Sequence, residues 1–310
     1  MAGSAIMKTV TASLFALFIL ISCSQSKSDL GPAPVSDNYS EEIDLWVDDR
    51  IETLKEPTGW MRLAGMFILD EGVNSFGSGP DQDVQFPEET LPAHAGTFTL
   101  QEETIKFNAA NGISITHNGE QVSDMVIFDG VNAPALGYGH LEWYVIQRQE
   151  LIAIRLFNKQ NPKVDQFDGF GRFPTDPKWS LLAQYEPNPT GSTIQITNVL
   201  GQVDEILNPG RLTFRFNDKV FTIEALDASD DRLFLVIGDE TNQTETYQAG
   251  RYMYVDAPDE SGRTVIDFNK IYNPPCAYTV YSTCQLPPSQ NRLDLSITAG
   301  EKRPVNWTGL

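Results

Sequence analysis

Basic residues are scarce in this chain. Twenty-two Lys and Arg stand against 42 Asp and Glu, a formal charge of −20 over 310 residues. Nucleic-acid binding needs a basic face to neutralise phosphates, and the sequence offers none, so nucleic acid is not an expected partner. Histidine is scarcer still: His94, His117 and His140 are scattered, without the paired spacing a zinc site uses. There is no phosphate loop, dinucleotide fingerprint or His-Glu-x-x-His segment. The nearest approach to a Gly-x-Ser-x-Gly elbow, Asn74-Ser75-Phe76-Gly77, follows Val73 where a glycine is needed. No metal and no organic cofactor is therefore expected. With 41% hydrophobic and 10% aromatic residues the composition excludes wholesale disorder.

Only three cysteines are present, at 23, 276 and 284. The first ends an apolar run, residues 10–22, that follows Lys8 and is of signal-peptide length rather than membrane-spanning length. Leu20-Ile21-Ser22-Cys23 resembles a bacterial lipoprotein box, in which cleavage leaves the cysteine to carry lipid. The expected organisation is a signal peptide over 1–22, a lipid-anchored tether over 23–39 and a β-rich domain over 40–310. The tether reading rests on the small, polar, Pro- and Gly-containing stretch 24–36. The expected address is the bacterial envelope, held to the lipid membrane through Cys23, with Ser24 compatible with the outer membrane.

Within the domain, Ile43, Trp46, Val47, Ile51 and Leu54 recur at helical spacing, with Ser40 as a cap, Glu41 and Glu42 at the start, Lys55 at the end and Pro57 as a stop. One amphipathic helix is expected over 40–55. Short β-branched and aromatic runs come after it: 59–69, 84–86, 97–101, 104–108, 113–117, 121–128, 141–148 and 151–157, then 179–185, 192–198, 211–216, 220–226 and 233–237. Regular spacing without helical patterns between them predicts one mainly β domain, an antiparallel β-sandwich or barrel-like body. Asn217-Asp218 reads as a tight hairpin. Residues 157–178 carry too many Gly and Pro breakers for one regular element and read as a loop.

The densest gathering of special-purpose residues is Asp267–Glu301. Cys276 and Cys284 enclose seven residues between two Pro-Pro steps. In an exported chain the first expectation is a disulfide, with free thiols and metal ligation as the alternatives. The rigid prolines frame either a preorganised site or a plain stapled cap. Candidate ligand-binding residues are Arg155, Arg172, Tyr247, Arg251, Asp267, Asn269, Tyr272 and Asn273. Asp267 and Glu245 are the candidate acid or base, and Arg155, Asp168 and Arg172 are taken as an opposite wall in the irregular middle loop. For Arg251 the competing reading is a buried structural ion pair.

Asp267-Phe268-Asn269-Lys270, Tyr272-Asn273-Pro274-Pro275-Cys276-Ala277, Cys284-Gln285-Leu286-Pro287-Pro288, Asn291-Arg292-Leu293 and Ala299-Gly300-Glu301 together resemble the signature end of the domain-of-unknown-function family numbered 1684. Thr246–Arg251 and Gly171-Arg172-Phe173-Pro174 with Trp179 resemble its earlier segments, so that the resemblance extends over roughly 40–303. Gln285 stands where many relatives would carry another residue. The resemblance implies a single β-rich body and supplies no substrate. The functional expectation is an envelope lipoprotein that binds a small polar or glycan-like ligand near the closing segment. The alternatives are a hydrolase built on Asp267 or Glu245, and a structural or assembly lipoprotein with no small ligand.

Overall fold

The computed structural model describes residues 30–226 and 232–304. The expected signal peptide, the lipidation position Cys23 and residues 23–29 of the tether lie outside the described residues. Of the remaining tether, Leu30 and Ala33 are buried. Ala33 N–H donates to Ser180 O at 2.8 Å and Gly31 O accepts from Leu182 N–H at 2.9 Å, so this piece pairs with a strand edge instead of hanging free.

The chain is mainly β, with one long N-terminal helix, Tyr39–Lys55. That helix starts one residue before its expected position and takes Asn38 as N-cap, with no side-chain cap bond from Asn38 and Ser40 already inside. Ile43 and Leu54 are fully buried and Trp46, Val47 and Ile51 half-buried. The row 43, 47, 50, 54 lies along one face at helical spacing, which places Arg50 in the packed stripe. After a short 3-10 turn, Trp60–Arg62, comes the strand Leu63–Ile68. It pairs antiparallel with Leu151–Asn158 in a six-stranded sheet whose order continues through Leu141–Arg148, Leu136–Tyr138, Ile115–His117 and Glu120–Val122.

A five-stranded sheet runs in the order Val84–Gln85, Gly72–Gly77, Gly96–Gln101, Thr104–Ala109, Asp124–Asp129. Its Gly72–Gly77 strand lies between the sequence runs 59–69 and 84–86, outside all the runs expected to form strands. Phe76, Phe98 and Phe107 from this sheet and Trp143, Ile154 and Leu156 from the six-stranded one share a core, with Phe76 and Phe98 stacked at 4.4 Å and Trp143 edge-on to Phe86 at 5.3 Å.

From residue 180 a four-stranded sheet takes the order Lys219–Ala225, Gly210–Phe216, Ser180–Pro187, Arg263–Asp267. The expected hairpin at Asn217-Asp218 is present, Phe216 pairing with Lys219 and Asn217 adopting φ 52°. Two further pairs, Thr193–Thr197 with Val203–Leu207 and Arg232–Ile237 with Arg251–Asp256, complete this half. Its core, built on Trp179, Phe214 and Phe268, draws its residues from 179–299, while the first core draws from 69–156. The sheets are open, and no barrel closes among the described residues. The irregular middle stretch is a packing element: Val164 and Phe167 join Leu54 and Tyr278 in a small cluster that ties loop, helix and closing segment together.

Leu151–Asn158 is buried along nearly its whole length. Ile152, Ile154 and Leu156 face the first core, and by the period of two Ala153, Arg155 and Phe157 face the other way. A strand covered on both faces reads as a continuous apolar run, and Arg155 is the charged residue inside it.

Candidate functional site

The closing segment is stitched to the rest of the molecule around Glu301. This side chain is 1% exposed. Its carboxylate accepts from Arg50 Nε at 3.3 Å, from the Asn273 backbone N–H at 2.7 Å and from the Tyr278 hydroxyl at 2.9 Å. Burial raises the pKa of Glu301, opposed chiefly by the Arg50 charge. Burial and then the Glu301 charge push the Tyr278 hydroxyl well above the usual phenol range. Arg50 also donates to Asn273 O at 3.2 Å and lies over the Tyr272 ring at 4.5 Å. Gly300, at φ 69°, allows this approach, because a Cβ there would collide with the Ile271 carbonyl.

Arg251 belongs to the same clasp. It is 0% exposed, paired with Asp239 at 2.8 Å, and donates to the carbonyls of Ala299 at 2.6 Å, Ile297 at 2.9 Å and Glu301 at 3.2 Å. Its guanidinium is thus engaged by the chain itself, and burial pulls its pKa down against the opposing pull of Asp239.

Asp267 and Asn269 form a third knot. The Tyr39 hydroxyl donates to Asp267 Oδ1 at 2.7 Å, and the Asn269 backbone N–H donates to the same oxygen at 3.1 Å. The Asn269 side chain is fastened to the backbone of Asp176 in both directions at 3.0 Å. Burial, reinforced by the Asp267 hydrogen bond, raises the Tyr39 pKa.

The remaining candidates are dispersed. Tyr247 donates to Cys276 O at 3.0 Å. Glu245 is exposed and meets Lys302 at 3.0 Å. Arg172 is engaged by Asp44 and by Thr175 Oγ1, while Asp168 is exposed. Among the candidates, then, the fold gathers Arg251, Tyr272 and Asn273 around Glu301 and Asp267 with Asn269 beside Tyr39. Arg172 forms a backbone bridge with Glu301 while its side chain turns to Asp44 and Thr175, Glu245 meets the adjoining Lys302, and among the described residues Arg155 makes no hydrogen bond to either group. Arg155 lies in a strand, not in the middle loop expected from sequence.

Two clefts open beside this clasp. The smaller, about 280 Å³, is lined by Trp46, Tyr254, Tyr272, Asp267 and Lys270, the last two 4.0 Å apart. The larger, about 400 Å³, lies where the outer face of the six-stranded sheet meets the second half. Its aromatic lining is Trp60, Phe234, Tyr252 and Tyr254, and its basic residues are Arg148 and Arg155. Residues 282–285 of the cysteine loop form one wall.

Cys276 and Cys284 lie at disulfide distance, their Cα atoms 6.1 Å apart. The wall they staple is fixed further by Val199 N–H donating to Cys284 O at 2.9 Å, Leu286 N–H donating to Thr197 O at 2.8 Å, and the Tyr252 hydroxyl donating to Gln285 O at 2.7 Å. The volume is near the lower end of the range of small-molecule sites, roughly 300 to 1,000 Å³.

Arg155 is 6% exposed, yet no hydrogen bond or ion pair reaches its guanidinium among the described residues, and Nε is buried without an acceptor. The Trp60 ring lies 5.2 Å from its Cζ. Neither Trp60 nor Arg148 stands out in the sequence. The available signal is a charged residue in the apolar run Leu-Ile-Ala-Ile-Arg-Leu-Phe, since a lone Arg in a doubly covered strand needs an explanation that packing does not supply. No group of three or more His, Cys, Asp or Glu close enough to hold a metal occurs among the described residues.

Comparison with solved structures brings out an uncharacterized protein of Haloarcula marismortui, determined by solution NMR. It is 27% identical over 47% of this chain and 82% of its own, at a TM-score of 0.39. A chain from a structural and functional analysis of phosphothreonine-dependent FHA domain interactions is 14% identical over 30% of this chain and 92% of its own, at a TM-score of 0.20. Neither likeness is close enough to carry a functional conclusion. Comparison with curated proteins gives no match. The family match covers the later part of the chain, a shorter span than the 40–303 expected from sequence. Residues 165–302, which include the Gly171–Pro174 segment, Thr246–Arg251 and the closing motif, match the model of the family described as a protein of unknown function, DUF1684.

Proposed function

We propose that this protein is a lipid-anchored envelope protein that binds a small polar, glycan-like ligand in the 400 Å³ cleft beside the closing segment. The observation that carries the binding reading is the cleft's lining: Trp60, Phe234, Tyr252 and Tyr254 against a polar wall of Thr283 and Gln285, held in place by Ser282 and Asn198, whose side chains bond within the chain. Flat amphipathic rings facing fixed hydrogen-bonding groups are what recognition of a hydroxylated ring requires. The carboxylate pushed upward in pKa, Glu301, lies inside the clasp rather than at the cleft wall, which favours binding over acid–base chemistry there. The shared core of the first two sheets supports the further reading that this half packs as a β-sandwich.

Titration of the full chain with a panel of mono- and disaccharides, followed by tryptophan emission, tests the binding reading. A saturable change that is lost in Trp60→Phe is expected. A panel that leaves both emission and melting temperature unchanged at millimolar concentration would overturn it. The anchoring reading rests on the sequence around Cys23. It predicts palmitate incorporation and membrane fractionation that Cys23→Ala abolishes, and a Cys23→Ala chain that still fractionates with membranes would contradict it.

A further inference from the structure

We propose that the ligand of this cleft is anionic: a carboxylate or phosphate ester, carried on a hydroxylated ring, whose oxyanion seats between Arg148 and Arg155. This rests on the reading of the cleft as a binding site and adds the chemical class of what enters.

Three observations converge. The first is the isolation of Arg155. A guanidinium cannot shed its proton to relieve burial, so a fold that buries one ordinarily supplies a carboxylate or several carbonyls, as it does for Arg251. Here it supplies a ring. Trp60, 5.2 Å from Cζ, meets the cation through its π face, a contact that offers no acceptor to the N–H donors at the guanidinium edge. Those donors are arranged for bidentate contact with a carboxylate or phosphate.

The second is the presence of another cation. Arg148 pairs with Leu151 across the strands and Arg155 with Tyr144, and the period of two puts both arginines on the same face of the sheet. Arg148 is exposed and its Nη1 donates only to the neighbouring Gln147 carbonyl, at 2.9 Å. Partial burial, and next the Arg155 charge, lower its pKa. Two like charges brought to one wall are relieved by an anion between them.

The third is the charge balance. The acid lining this cleft is Asp204, which is engaged by the Gln149 side-chain amide. Two guanidinium groups against one carboxylate make a locally positive lining in a chain of formal charge −20. The acidic envelope repels anions in general, so a positive cleft within it is specific to a ligand small enough to enter.

Isothermal titration of the full chain at low ionic strength, with glucose, glucuronate, glucose 6-phosphate and inorganic phosphate as probes, separates the possibilities. At least one charged sugar is expected to bind tenfold or more tightly than glucose, with affinity falling as salt is added. Comparison of glucuronate with glucose 6-phosphate identifies which oxyanion the seat prefers, and inorganic phosphate shows whether the ring is needed. Arg155→Gln and Arg148→Gln should each bring the affinity for the charged sugar down towards that for glucose measured on the same variant. The exposed position of Arg148 keeps that variant informative should Arg155→Gln fail to fold. Glucose binding as tightly as both charged sugars would overturn the anionic class and leave the cleft reading standing. Absence of binding by all four probes would overturn both.

Discussion

Replacing Arg251 by Met removes the centre of the clasp and leaves a side chain of similar length. Asp239 would remain 8% exposed and without its guanidinium, and the Ile297, Ala299 and Glu301 carbonyls would lose their donor. Breaking a buried ion pair by removing one partner costs roughly 3 to 5 kcal/mol. Each carbonyl left without a donor adds up to about 1 to 3 kcal/mol, but these losses overlap with the first. Asp239 keeps the Thr241 N–H and hydroxyl at 2.9 and 2.6 Å, which limits the damage. A net loss of about 5 kcal/mol is the expected scale, a fall of roughly 10 to 20 °C in melting temperature for a body of this size. Urea and thermal unfolding of Arg251→Met beside the unaltered chain measure it. A loss below about 1 kcal/mol, within the ordinary range for a surface substitution, would refute the reasoning that the guanidinium is committed to the fold.

Three further outcomes are expected. Arg50→Met strands the buried Glu301 carboxylate and should cost about 3 kcal/mol or more in urea unfolding; an unchanged midpoint would show that Asn273 and Tyr278 suffice to hold it. Reduction of the Cys276–Cys284 pair should cost roughly 2 to 3 kcal/mol, as the closure of a short loop does, read as a drop in melting temperature that Cys276→Ser reproduces. The carboxylates of Asp83, Asp129 and Asp259 are held below their usual range, first by hydrogen bonds from the side chains of Ser75, Asn132 and Ser261 respectively. A depressed folded-state pKa stabilises above the unfolded value, and that contribution disappears as pH falls through the lowered one. Asp83→Asn should therefore flatten the acid limb of a stability–pH curve, and an unaltered limb would show that Ser75 contributes nothing.

Local pattern carries much of the fold. The helix and strands such as Leu141–Arg148 sit within a residue or two of their sequence limits, because amphipathic period and β-branched runs are local signals. Gly72–Gly77 lies outside the runs expected from sequence because its glycines mask a strand that pairing with Gly96–Gln101 creates. Residues 59–69 start as a 3-10 turn, not a strand. The same distinction governs the site. Asp267, Asn269, Asn273 and Arg251 stand out by residue type, and the structure engages each in hydrogen bonds that hold the closing segment down. The larger cleft, in contrast, takes Trp60, Arg155, Asn198, Tyr252 and Ser282 from five separate stretches, and no spacing within one stretch announces such a meeting. Arg155 is expected from sequence to form a cleft wall. It does line a cleft, but from a central strand and without the partners expected beside it.

Arg155 and Arg251 are both buried, and among the described residues only Arg251 is paired, so that Arg251 holds the fold and Arg155 serves the ligand. Melting temperatures of Arg155→Met and Arg251→Met, each with and without a charged sugar, test it directly. Arg155→Met should melt within a few degrees of the unaltered chain or above it, since little more than a cation–π contact of about 1 kcal/mol is lost, and should no longer gain stability from the ligand. Arg251→Met should melt far lower yet still be stabilised by ligand. An Arg155→Met chain that falls as far as Arg251→Met would show that Arg155 holds the fold together, and would contradict the assignment of the cleft as a site.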